Sequence, residues 1–139
     1  MVDLKKLYGI FIDEAREHIT GIEDGLIQIE KKPDDKELLN KVFRAAHTIK
    51  GSSGTIGLKE ISKFTHSMEE ILDLMRQDKL PPEKGLINTL LQATDIIKAM
   101  VEAVASDSNF DFTRCGDLTR QMQAVIANTG DLGTDLKSV

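Results

Sequence analysis

The sequence predicts an all-α protein, an antiparallel up-down four-helix bundle with a fifth helix at its C-terminal end. Apolar residues recur at three- and four-residue spacing along most of the chain. No stretch alternates apolar and polar residues as a β-strand does, and the connections between the periodic segments are short. The length of 139 residues suits a single domain.

The first predicted helix runs from Asp3 to Lys32, where an apolar stripe continues over many turns until Pro33 ends it. Asp34, with Glu37 three residues later, resembles a capping box and predicts the start of the second helix. We expect the second helix to end between Ser53 and Gly57, because three closely spaced glycines weaken its last turns.

A third helix is predicted from about Leu58 to Gln77, before the Pro81-Pro82 pair. The fourth begins at Glu83 and continues to a polar break that starts at Ser106. These four helices form the predicted bundle, residues 3–105.

The C-terminal part of the chain predicts one more element. A shorter fifth helix is expected over about residues 113–127, and we assign residues 1–127 to one domain. Residues 128–139 are rich in Gly, Asp and Thr with little periodicity, so we expect a flexible tail or linker there.

Composition narrows the classes of function. The 18 Lys and Arg against 23 Asp and Glu leave a net charge of -5, which disfavours binding to nucleic acid or anionic lipid. The single cysteine, Cys115, fits a reducing compartment. The chain shows no secretion signal and no apolar run of membrane-spanning length. We therefore expect a cytoplasmic protein that does not contact the membrane.

His47 is the candidate reactive residue. On a helical wheel of about 100° per residue, it lies about 140° from the apolar stripe centred on Val42, so the ring points outward. Lys50, Gly51 and Gly54 are its neighbours on the same flank. A lysine can neutralise phosphoryl oxygens, and glycines remove side chains that would obstruct a bulky partner.

A second polar flank, with Glu69 and His66, is predicted on the third helix. In a bundle the two flanks can meet in one groove, bringing Glu69 and His66 near His47. A carboxylate that accepts the proton of one ring nitrogen would fix the tautomer of His47 and leave the other nitrogen as a nucleophile. The residues of these two flanks suit phosphoryl transfer.

The segment from His47 to Gly54, His-Thr-Ile-Lys-Gly-Ser-Ser-Gly, resembles the His-x-x-Lys-Gly signature of histidine phosphotransfer domains. The flanking Phe-Arg-Ala-Ala at residues 43–46 and the segment 66–73 are similar to the N-terminal phosphotransfer domain of CheA-type chemotaxis kinases. The resemblance implies that His47 is the phosphorylated residue and that Glu69 orients its imidazole. It also places His66 in the same hydrogen-bonded cluster and gives Lys50 the role of assisting the phosphoryl charge.

This family implies a module in a two-component chemotaxis-type pathway. It would accept phosphate from ATP through a separate kinase domain and donate it to an aspartate of a response regulator receiver domain. No phosphate-binding glycine loop lies between a strand and a helix, so we expect no cofactor and no ATP site of its own. We expect a monomer, either part of a larger kinase or a freestanding shuttle, and the tail favours the former.

Two other classes of function remain open at this stage. His47, His66 and Glu69 form a chemically possible metal site, although Lys50 would repel a cation and we predict no metal. A purely structural bundle used for partner docking would explain the same helices without any chemistry at His47.

Overall fold

The computed structural model describes the backbone of residues 3–138 and the side chains of residues 3–129. Five helices follow one another along the chain: α1 (Leu4–Lys31), α2 (Lys36–Thr55), α3 (Lys59–Arg76), α4 (Lys84–Ala105) and α5 (Thr113–Ser138). The described backbone contains no strand. The prediction of an all-α fold is confirmed.

The first four helices form a closed up-down bundle. Helix α1 packs against α2 and α4, and α3 packs against the same two helices from the other side. Helix α5 lies outside this ring, against α3 and α4. The bundle is therefore complete without α5, which covers one of its sides.

An aliphatic core fills the bundle, as the shortage of aromatic residues predicts. The apolar stripes of the four helices converge on it, and among the described side chains of α5 three are buried at its margin. Its largest fully buried members are Ile19, Ile22, Leu26, Ile29, Ile49, Met68, Ile71, Leu72, Met75, Ile87, Leu90 and Ile97.

The helix bounds agree closely with the predicted ones, with two differences. The side chain that caps α2 is Asp35 rather than Asp34, because the Asp35 carboxylate accepts a hydrogen bond from the backbone N–H of Leu38 at 3.1 Å. Helix α5 continues to Ser138 rather than ending near residue 127. No proline interrupts it after Thr113, so its backbone hydrogen bonds can continue through Gly130 and Gly133.

The sequence predicts a flexible tail at residues 128–139. Most side chains of this segment lie outside the described part of the chain. The flexible tail stays a prediction. Within the part that is described, no helix combines the length and the apolar character needed to cross a membrane.

The end of α2 sets the position of the candidate site. Gly57 has a φ of +85°, and the N–H groups of Gly57 and Leu58 donate to the carbonyls of Gly54 and Ser53 at 3.2 and 2.8 Å. This is a Schellman motif, in which glycine avoids the strain of a left-handed backbone. The tight turn brings α3 back alongside α2, so side chains of the two helices meet.

Candidate functional site

His47 projects from the middle of α2 into solvent, as the helical wheel predicts. Its side chain is 60% exposed. The Nδ1 atom lies 2.5 Å from Oε2 of Glu69, whereas Nε2 makes no hydrogen bond within residues 3–129. Because an ionised carboxylate can only accept, Nδ1 carries the proton and Nε2 keeps its lone pair. The solvent-facing nitrogen is therefore the nucleophilic one.

Glu69 reaches His47 from the facing side of α3. Its side chain is only 10% exposed, although the helical wheel places it on the polar flank of this helix. Oε2 contacts His47, and Oε1 accepts a hydrogen bond from Nζ of Lys50 at 2.7 Å. Burial raises the pKa of Glu69, but the hydrogen bonds from Lys50 and His47 together hold the pKa below its ordinary value. The carboxylate stays ionised at neutral pH.

Lys50 lies one turn beyond His47 on α2. Its side chain is 25% exposed and its ammonium group pairs with Glu69. Its backbone carbonyl accepts hydrogen bonds from the hydroxyls of Ser53 and Ser62, both at 3.0 Å. The Ser62 bond joins α2 to α3, so the backbone beneath the cation is held in place.

His66 lies at the margin of this cluster. Its Nδ1 is 3.7 Å from Oε1 of Glu69, beyond hydrogen-bond distance, and its Nε2 is 2.8 Å from Oε1 of Glu70. The predicted proximity to Glu69 holds, but the closer partner is Glu70.

Two residues of the site were missed by the sequence analysis. The ring of Phe43 is nearly parallel to the imidazole of His47, with centroids 6.1 Å apart and planes 13° apart. The guanidinium carbon of Arg76 lies 3.6 Å from the centroid of the Phe43 ring. Phe43 precedes His47 by four residues, a spacing that places both on one helix face and could have identified it. No local signal identifies Arg76, which comes from α3.

The two predicted docking glycines differ in their surroundings. A Cβ added at Gly51 would meet no atom within 4 Å, whereas one at Gly54 would lie 3.1 Å from Oγ of Ser62. Gly51 thus borders open space, as expected for a docking surface. Gly54 permits the close approach of α2 and α3 and is itself exposed, so its role in clearing a partner surface stays a prediction.

A shallow groove between α1 and α2 leads to the imidazole. His47, Thr48 and Gly51 line its α2 side, and Leu7 and Ile10 line its α1 side. Ile10 is 51% exposed despite its size. The groove thus offers an apolar contact area directly beside the nucleophilic nitrogen.

The arrangement does not suit a metal ion. Within the described side chains, no group of three His, Cys, Asp or Glu residues is placed to hold one. The carboxylate of Glu69 is occupied by an ammonium group and an imidazole N–H. The metal hypothesis for His47, His66 and Glu69 therefore finds no support in this geometry.

Comparison with known proteins gives a consistent group of relatives. Residues 6–107 match the family described as "Hpt domain". The chain is 37% identical over 95 residues, 68% of its length, to the chemotaxis protein CheA of Listeria monocytogenes. It is 32% identical over 120 residues, 86% of its length, to that of Treponema pallidum. The chain spans 15% of the length of each of these two relatives.

Solved structures give the same result. The CheA phosphotransferase domain from Thermotoga maritima is 35% identical, with a TM-score of 0.70 over 76% of this chain and 99% of that one. The phosphorylated P1 domain of CheA3, crystallised in complex with CheY6 from R. sphaeroides, is 26% identical. It has a TM-score of 0.81 over 89% of this chain and 98% of that one. Sequence and fold therefore point to the same group of domains.

Proposed function

The chain belongs to the Hpt domain family and is homologous to the phosphotransfer domains of CheA chemotaxis proteins, and from this premise we propose that it relays phosphoryl groups through His47. It accepts the group from ATP held by a separate kinase domain and donates it to an aspartate of a response regulator. The observation that carries this proposal is the exposed imidazole whose Nδ1 is bound to a buried, ionised Glu69.

In the first step, the lone pair of Nε2 attacks the γ-phosphorus of ATP. The Nε2–P bond forms while the bond from phosphorus to the bridging oxygen breaks, and ADP leaves with that electron pair. The ring then carries a positive charge, which the Glu69 carboxylate stabilises through the Nδ1 proton. Glu69 thus supports the charge without removing the proton.

In the second step, a carboxylate oxygen of the regulator attacks the same phosphorus. The Nε2–P bond breaks and its electron pair returns to the ring, which becomes neutral again. Lys50 lies one turn from His47 and is charged, so it attracts the phosphoryl oxygens in both steps. Lys50 and His47 both bind the carboxylate of Glu69, and this common partner fixes the position of the Lys50 ammonium group relative to the ring.

The groove between α1 and α2 is the proposed contact surface for the receiver domain. It combines exposed apolar side chains with the open space at Gly51. The related P1 domain of CheA3 was crystallised phosphorylated and in complex with CheY6, which supports a partner of this class. Such a contact is expected to be small and transient, since the regulator must leave after each transfer.

The remaining expectations complete the proposal. ATP is used only through the separate kinase domain, and the protein needs no cofactor of its own. It acts in the cytoplasm as a monomer that contacts neither membrane nor nucleic acid.

The test is phosphorylation with γ-labelled ATP and the catalytic domain of a CheA-type kinase. We expect one acid-labile, base-stable phosphoryl group on the native protein and none on the His47→Gln variant. Addition of a receiver domain should move the label to that domain. Label that persists in the variant, or that mass spectrometry places on another residue, would contradict the proposal.

A further inference from the structure

Three flat groups from two helices form a column beside the nucleophile. The guanidinium of Arg76 lies on one face of the Phe43 ring, and the His47 imidazole lies nearly parallel to that ring. We propose that Phe43 and Arg76 are positioning residues that hold the plane of the His47 ring, Arg76 acting through Phe43. This inference rests on the proposed function of His47 and adds two residues to the site.

The ring of His47 needs a second constraint besides Glu69. The torsion between Cβ and an aromatic ring is broad, and the side chain is 60% exposed. The hydrogen bond to Glu69 fixes the position of Nδ1 but leaves the ring free to tilt about that contact. A nearly parallel neighbour, with planes 13° apart, restricts that tilt. The direction in which Nε2 points is therefore set by two contacts together.

Arg76 holds Phe43 in the column. Its Nη2 donates to Oδ1 of Asp73 at 2.6 Å and its Nη1 donates to Oδ1 of Asn40 at 3.5 Å. Asp73 accepts a second bond, from the Gln77 amide at 2.9 Å. The guanidinium is thus anchored to both α2 and α3 with its carbon 3.6 Å from the ring centroid, a distance that a cation–π contact favours.

An unpaired donor of Arg76 also indicates that its position over Phe43 has a function. Nε of Arg76 is buried and has no hydrogen-bond partner within the described residues. A buried donor without a partner is unfavourable, and a guanidinium turned toward solvent would avoid it. The fold instead keeps the guanidinium over the Phe43 ring.

The first measurement needs no kinase. Nitrogen-15 chemical shifts and side-chain couplings of His47, recorded by NMR on the full chain, report the tautomer and the rotamer of the ring. The native protein should show one rotamer with the proton on Nδ1. In Phe43→Leu and Arg76→Met we expect averaging between rotamers, whereas Phe43→Tyr keeps a ring in place and should resemble the native protein.

The second measurement is phosphorylation by a CheA-type kinase domain. Loss of the stack should lower kcat about threefold to tenfold, the range expected for one aromatic or cation–π contact. The KM for the kinase domain should not change, because neither Phe43 nor Arg76 lines the groove between α1 and α2 and both act on the orientation of the ring. Arg16→Met is the matched control, since it removes a two-bond ion pair with Glu102 that contacts neither His47 nor Phe43. It should leave both readouts unchanged.

The double variant tests whether Arg76 acts through Phe43. Arg76→Met should have little further effect in the Phe43→Leu background, because the contact that it removes is already absent. Additive losses would overturn the indirect role. An unchanged ring and an unchanged kcat in folded Phe43→Leu would overturn the whole inference, even if Arg76→Met fails to fold. Native protein that shows a fixed ring but accepts no phosphoryl group would instead contradict the proposed function.

Discussion

At the scale of single residues, the properties of His47 depend on how one buried carboxylate is shared. Glu69 binds a cation with one oxygen and an imidazole N–H with the other. Lys50 keeps Glu69 ionised, so that Glu69 can accept a hydrogen bond from the Nδ1–H group, and it also offsets part of the negative charge beside the ring. The imidazole thus gains a fixed tautomer while its reactive nitrogen remains in solvent.

Replacement of Glu69 by Gln tests this sharing. We expect phosphorylation of His47 to slow by about tenfold or more, because an amide neither fixes the tautomer as firmly nor stabilises the charged ring. The measurement is the initial rate with a kinase domain and labelled ATP.

The same variant should also lose stability, because Glu69 is buried. Without its carboxylate partner the half-buried Lys50 is left unpaired, which we expect to cost about 1–3 kcal/mol of unfolding free energy. Glu60→Gln, at an exposed position of α3, is the control for a lost charge on that helix. Equal rates in native protein and a folded Glu69→Gln variant would argue against the proposed role of Glu69.

The acid dependence of stability provides a separate test. The pKa of Glu69 is lower in the folded protein than its ordinary value of 4.5, so its contribution to stability is complete above that pH and declines as pH falls through the folded pKa. The difference in unfolding free energy between native protein and Glu69→Gln should therefore narrow on acidification below about pH 4.5. Urea unfolding at several pH values measures it, and other carboxylates cancel because both proteins carry them. A constant difference would contradict the ion pairing.

At the scale of the elements, the last turns of α2 carry two glycines with different surroundings. A Cβ added at Gly51 would point to open space, while a Cβ added at Gly54 would point at Ser62 on α3. Two glycines of one motif thus have different reasons to be small. Gly51 borders open space, and Gly54 lets two helices approach closely.

Alanine substitutions at Gly51 and Gly54 test whether the two glycines differ in this way. Gly51→Ala should raise the unfolding free energy by about 0.5–1 kcal/mol, since alanine favours a helix and meets no obstacle there. Gly54→Ala should gain less or lose stability, because its methyl group presses on Oγ of Ser62. Thermal unfolding of the two variants measures the difference. The reverse order would show that the close approach at Gly54 is not limiting.

Most element boundaries could be predicted because their signals are local. Pro33 and the Pro81-Pro82 pair interrupt helices wherever they occur, and three-residue and four-residue spacing reports an amphipathic helix directly. The choice between Asp34 and Asp35 as cap could not be predicted, since either carboxylate can accept from the first turn. The continuation of α5 was missed because its residues after 127 show little periodicity, although none of them is a proline.

At the scale of the whole molecule, the site depends on how α2 and α3 pack. The outward direction of His47 follows from α2 alone, and the wheel permits Glu69 to face it. The burial of Glu69, the use of its second oxygen by Lys50 and the placement of Arg76 on Phe43 arise only when the helices are assembled. Sequence patterns cannot give these contacts, because each joins residues that are distant along the chain.

The outer helix does not contact α2, the helix that carries His47. Helix α5 packs only against α3 and α4 within the described part of the chain. Met122 and Leu118 are buried there, and Nε2 of Gln123 donates to Oγ of Ser67 at 2.8 Å. Because neither α2 nor the His47 side chain contacts α5, stability and reactivity should respond to different substitutions.

Met122→Ala tests this separation. Removal of a fully buried side chain should lower the unfolding free energy by about 2–4 kcal/mol, whereas the initial rate of phosphorylation should stay within about twofold of native at a temperature where the variant is folded. Leu118→Ala is the matched variant on the same face of α5 and should behave alike. Denaturant unfolding and the kinase assay on the same samples give both quantities. A rate that falls in parallel with stability would mean that α5 supports the site through α3, since that helix carries Glu69.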